Sequence, residues 1–68
     1  MADPVYKSVE VTGTSTTTVN DAIQNAVTKA AETLRNLDWF EVVGVRGNIT
    51  DGKVDHFQVT LKLGFRLE

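Results

Sequence analysis

Asp51-Gly52-Lys53-Val54-Asp55-His56-Phe57-Gln58-Val59-Thr60-Leu61-Lys62-Leu63-Gly64-Phe65-Arg66-Leu67 decides the fold of this chain. Over residues 54–67 the apolar side chains fall on every second position. Phe57, Val59, Leu61, Leu63, Phe65 and Leu67 point one way; His56, Gln58, Thr60, Lys62, Gly64 and Arg66 point the other. A period of two over such a length predicts a strand with one buried face. A slip of one residue would invert every side chain. Asp51-Gly52 is a strong hairpin signal, because a type I′ turn needs positive φ at both central residues. The strand therefore pairs antiparallel with a preceding strand, predicted at residues 40–49.

Upstream the period changes. Val19, Ala22, Ile23, Ala26, Val27, Ala30, Leu34 and Leu37 recur in steps of three, one and four. That spacing traces one face of an α-helix over residues 19–37. Its alanines allow close approach to a sheet. The hydroxyl run at residues 14–18 supplies N-cap candidates in Ser15 and Thr18, and Asp21 three residues after Thr18 resembles a capping box. Residues 5–12 alternate as a first strand, with Gly13 expected to stop it.

The order is β-α-β-β, an α+β fold in one domain over residues 1–68. A crossover helix returns the chain parallel to its first strand. The third strand, antiparallel to both others, then takes the middle of a three-stranded antiparallel sheet with one helix across a face. The other face and both edges stay open, and edges invite pairing with another chain.

Composition excludes several classes. The chain has 68 residues and no Cys, so disulfides, thiolate metal sites and cysteine nucleophiles are absent. With one His as well, no metal site is expected. Seven basic residues are spread without a run and the net charge is -2, which argues against nucleic acid or a membrane surface as partner. The start, Met1-Ala2-Asp3-Pro4, lacks a signal pattern, and no apolar stretch nears the ~18 residues of a membrane span. A cytoplasmic protein is expected. A domain this small buries only about 60% of its unfolded surface, and oligomerisation is the stabilising device left open.

Catalytic constellations are sparse. His56 has no nucleophile beside it and reads as an exposed residue of the polar face. Asp38 and Glu41 flank Trp39 and read as cap and strand residues. No glycine pattern matches a phosphate loop. Trp39, the only Trp, stands where helix gives way to strand. A lone Trp serves a core or an interface more often than a ligand. Two other side chains favour a ligand here. Gln58 carries amide donors and a carbonyl acceptor, suited to a heterocycle edge with C=O beside N–H. Arg46 offers a planar cation that stacks on a ring or holds a phosphate, its alternative being a surface pair with Glu41 or Glu10. Together the three suit an aromatic cofactor.

The chain resembles the dodecins. The resemblance rests on Gly13-Thr14-Ser15, Ala22-Ile23, Thr33-Leu34, the block Leu37-Asp38-Trp39-Phe40-Glu41-Val42, Arg46-Gly47, Phe57-Gln58-Val59 and Gly64-Phe65-Arg66-Leu67-Glu68. It implies a sheet wrapped on the helix and a hollow homododecamer. It further implies paired flavins at subunit contacts, stacked on Trp39, with Gln58 on the pyrimidine edge. Arg46 matches a basic position of bacterial-type members, which implies FMN, with riboflavin or FAD as other flavins left open. Coenzyme A is also implied near a threefold contact, but Ala31 and Glu32 stand where some relatives carry basic residues, which weakens it here. The implied role is flavin storage, buffering and photoprotection, not catalysis. A flavin-dependent enzyme and a shell for another aromatic ligand are the competing readings.

Overall fold

A computed structural model describes residues 3–68; Met1 and Ala2, part of the reading of the N-terminus, lie outside the described residues. The elements are β1 (Tyr6–Ser15), α1 (Val19–Ala30), β2 (Leu37–Thr50) and β3 (Lys53–Arg66). The sheet order is β1-β3-β2, with β3 antiparallel to both neighbours. The long alternating strand thus occupies the centre, as its pattern predicts. Thr50 pairs with Lys53, and Asp51 and Gly52 take φ of 53° and 75°. Both central residues of the turn are left-handed, as a type I′ hairpin requires.

Gly13 does not stop β1, which runs on to Ser15. Gly13 pairs with Val59 and is buried under the helix, where an added β-carbon would overlap the Ala22 carbonyl oxygen. The glycine is needed for close helix-to-strand approach, not for a turn. Thr18 caps α1, its Oγ1 accepting from the Asp21 N–H at 2.9 Å. The Asp21 carboxylate does not close a capping box; it accepts from the Thr17 hydroxyl at 2.6 Å. Ser15 Oγ accepts from the Thr17 N–H at 3.0 Å and holds the bend ahead of the cap.

The helix ends at Ala30, a full seven residues before the predicted Leu37. Glu32 and Thr33 donate to carbonyls three residues back, Lys29 and Ala30, so the last turn tightens and breaks. Asn36 then takes φ 64°, which reverses the chain into β2. Leu37 still packs on the core, but from a strand. Its helical spacing is shared by a segment that is no longer helical.

Val59, Leu61 and Leu63 of β3 form the buried core with Ala22 and Ala26 of α1. Val9, Val11, Ile23 and Val27 pack around them. Apart from Leu37 at its start, β2 lies outside this core. β2 carries Phe40, Val42, Val43, Val45 and Ile49, all exposed. The protein is accordingly extended, 57 × 20 × 14 Å with a radius of gyration of 14.3 Å. A compact chain of this length has a radius of about 11 Å. The free end of the β2-β3 hairpin holds an open groove of about 310 Å³ lined partly by Val45, Ile49, Val54 and Phe57. β2 thus leaves a row of apolar side chains open beyond the core, and contiguous apolar surface of this kind marks an interaction or ligand-binding face.

Candidate functional site

The face of the sheet away from α1 carries every candidate ligand residue. On β3 this is the even-numbered row, from His56 through Gln58, Thr60 and Lys62 to Gly64. On β2 the outward row changes parity part-way. Trp39 pairs with Gly64 and Glu41 with Lys62, but Gly44 pairs with Thr60 and Arg46 with Gln58. The register shift between Val42 and Gly44 inserts one residue, Val43. Without this bulge Trp39 and Arg46, seven positions apart, would point to opposite faces. One extra residue brings them to the same face.

At one end of the face lies Trp39, 42% exposed. Gly64 beneath it is buried, and a β-carbon there would overlap the benzo half of the indole. The ring is therefore seated on bare backbone. Asp38, the extra residue of a second register shift between Leu37 and Trp39, lies near Tyr6 of β1. Asp38, as an acceptor for the phenol and then through its charge, pushes the Tyr6 phenol above its ordinary pKa. The Tyr6–Asp38 contact ties the first strand to the bend that aims the Trp.

At the other end lie Gln58 and Arg46, a directly opposed cross-strand pair. Opposed residues have Cβ atoms only about 5 Å apart. Gln58 Nε2 lies 3.2 Å from His56 Nε2, and His56 Nδ1 lies 2.9 Å from Asp55 Oδ2. Arg46 is exposed and takes no ion pair among the described residues. Its alternative partners, Glu10 and Glu41, both stand opposite Lys62 instead.

The structure joins two of the three candidates and separates the third. Gly64, under the Trp, lies six residues beyond Gln58 on β3. At the rise of a strand this is about 20 Å. No single planar ligand touches both the indole and the amide of one chain. A site that uses all three draws them from different copies. Among the described residues no cluster of His, Asp and Glu is arranged to hold a metal. No helix of the described residues is long and apolar enough to cross a membrane.

A family model described as dodecin matches residues 5–68. The chain belongs to the dodecin family. A curated dodecin from Thermus thermophilus is 53% identical over 64 residues, covering 94% of this chain and 93% of the relative. The solved structure of dodecin from Streptomyces coelicolor superposes with a TM-score of 0.94 at 60% identity, covering 100% of this chain and 97% of that one. Dodecin from Streptomyces davaonensis gives 0.93 at 49% identity, with 98% of each chain covered. The β-α-β-β architecture is thus that of solved dodecins.

Two dodecin-fold features escape the sequence pattern. Gly64 reads only as a polar-face position, yet it is the seat of the Trp. His56 reads as exposed, but its ring is only 24% exposed and is bonded to Gln58. The signal for the second was available: residues two apart on a strand share a face.

Proposed function

We propose that this dodecin is a flavin-binding protein that sequesters and stores FMN and shields it from light, in the cytoplasm. Family membership supports the coarser reading, a small non-enzymatic flavin-binding protein. One observation carries the finer one. A single open face presents an indole plate at one end and an amide beside a free guanidinium at the other, about 20 Å apart. Copies meeting through their exposed β2 strands bring the plate of one to the amide of another, and a homododecameric shell is the closed form of that association.

The residues fit the group. Trp39 offers a ring already fixed in orientation by Gly64, so little side-chain freedom is lost on stacking. Gln58 keeps an amide N–H and its oxygen free for the pyrimidine edge once His56 has taken the other hydrogen. Arg46 lies beside Gln58, with its charge unspent, for the phosphate of FMN or the ring. A bound flavin would supply a light-absorbing ring whose excited state an indole quenches by electron transfer. Flavins stacked in pairs between Trp39 rings would have their reactive faces covered. The exposed groups beside the plate, Tyr6 with Asp38 and Glu41 opposite Lys62, are accounted for by contacts with each other, which supports holding over turnover.

The experiment is a titration of FMN with the assembled protein, read by FMN emission. Saturable quenching is expected. Unchanged emission at excess protein would overturn the proposal.

A further inference from the structure

We infer that His56 sets the orientation of the Gln58 amide, and that its proton state reverses the order in which that amide offers donor and acceptor to a ligand. The inference rests on the flavin reading of Gln58. It begins at a third irregularity of the sheet. Asn48 pairs with His56 and Ile49 with Val54, so Asp55 has no partner on β2. Consecutive residues of a regular strand point to opposite faces; a bulge releases that constraint. Asp55 therefore reaches the ring of its own neighbour, with Oδ2 at 2.9 Å from His56 Nδ1.

A carboxylate only accepts, so His56 Nδ1 carries the hydrogen. In the neutral ring Nε2 is then a bare acceptor. Gln58 Nε2, at 3.2 Å, must be the donor. We assign to this bond the amide hydrogen that points away from the carbonyl. The other hydrogen and Oε1 remain side by side, the donor-acceptor pair a ring edge with adjacent C=O and N–H requires. Protonation puts a hydrogen on Nε2. Two donors then face each other, and the amide turns over so that Oε1 accepts. The turned amide offers its pair in the opposite order. A ligand edge held in place by stacking on an indole cannot slide to follow, so it meets donor against donor. The neutral imidazole is the binding form.

The charged groups nearest His56 on its face among the described residues are Asp55 on its own strand and Arg46 on β2, two residues along from Asn48. β1 ends at Ser15, opposite Phe57, and contributes only hydroxyls nearby. Helix α1 lies on the other face.

The test uses riboflavin, which has no phosphate of its own to titrate, with the assembled protein from about pH 8 to about pH 5, the range in which histidine changes charge. The dissociation constant should rise roughly tenfold over that range. His56→Phe should bind more weakly than wild type at the upper end and show no slope. A flat wild-type profile with intact binding, or a slope that survives His56→Phe, would overturn the inference. His56 is the only histidine, so nitrogen NMR reads its ring without ambiguity in the ligand-free protein. The Nδ1–H tautomer is expected at the upper pH, with the Gln58 amide signals moving as the ring titrates. An Nε2–H tautomer, or amide signals that do not move, would overturn the inference. If riboflavin fails to bind at every pH while the amide signals follow the ring, the amide switch stands and the flavin reading falls.

Discussion

The indole of Trp39 covers the backbone of Gly64 so closely that a β-carbon at position 64 would overlap its benzo ring. Gly64→Ala should therefore displace the ring rather than delete it. The expected cost to folding is that of modest overpacking, about 1–3 kcal/mol. FMN quenching should fall nearly as far as in a Trp39 deletion, although the Trp is still present. Near-ultraviolet dichroism of the indole should change in the ligand-free protein. Full quenching in Gly64→Ala would show that the seat is irrelevant.

Stacking and edge recognition should separate. Trp39→Ala removes the plate and should abolish most affinity and nearly all quenching. Gln58→Ala should weaken binding by on the order of 1 kcal/mol, or more if a ligand polar group stays buried and unpaired, while leaving residual quenching. Parallel titrations of the two variants check this. The reverse order would reassign the two roles.

Arg46 stands free beside Gln58, and its partner distinguishes two modes. If the guanidinium holds the phosphate, FMN should bind more tightly than riboflavin at low salt, with the gap closing as salt screens it. Arg46→Ala should then remove the gap and spare riboflavin. If the guanidinium stacks on the ring, both ligands weaken alike with little salt dependence in the difference. Four dissociation constants at two salt concentrations decide between these. No effect on either ligand would remove Arg46 from the site.

Gly13 should be the glycine whose loss costs the fold most per atom added. An alanine there meets the Ala22 carbonyl and lies 2.8 Å from the Ala26 β-carbon. The helix must lift from the sheet, at a cost of about 1–3 kcal/mol or more. Denaturant unfolding of Gly13→Ala against wild type measures this. Gly44→Ala is the control, since nothing lies within 4 Å of an added β-carbon there.

Much of this was legible in the residues because the strongest signals are local. The alternation of β3, the Asp51-Gly52 turn and the Thr18 cap are each set by neighbours within a few positions, and each appears in the structure, except that β3 ends at Arg66 and leaves Leu67, expected on the buried face, exposed. The misreadings share a different cause. Gly13 looks like a terminator because its role depends on Ala22 and Ala26, which lie on another element. Leu37 extends the helical spacing of Ala30 because both sides of the turn face one core, and periodicity cannot register that the backbone between them has reversed. Parity along β2 fails at Val43, since nothing about a valine marks it as the unpaired residue of a bulge. His56 taken by itself reads as an exposed polar residue, while its character comes from the bulged Asp55 and from Gln58.

The distance between the indole seat and the amide has a thermodynamic meaning. If each chain lends its plate to one pocket and its amide to another, every bound ligand acts as a rivet between copies. Ligand then enters the association equilibrium on the same footing as protein, and occupancy stabilises the assembly by mass action. Dilution should loosen both together: the shell would release its contents as it comes apart and close more firmly as it fills. A reservoir built this way senses its own load.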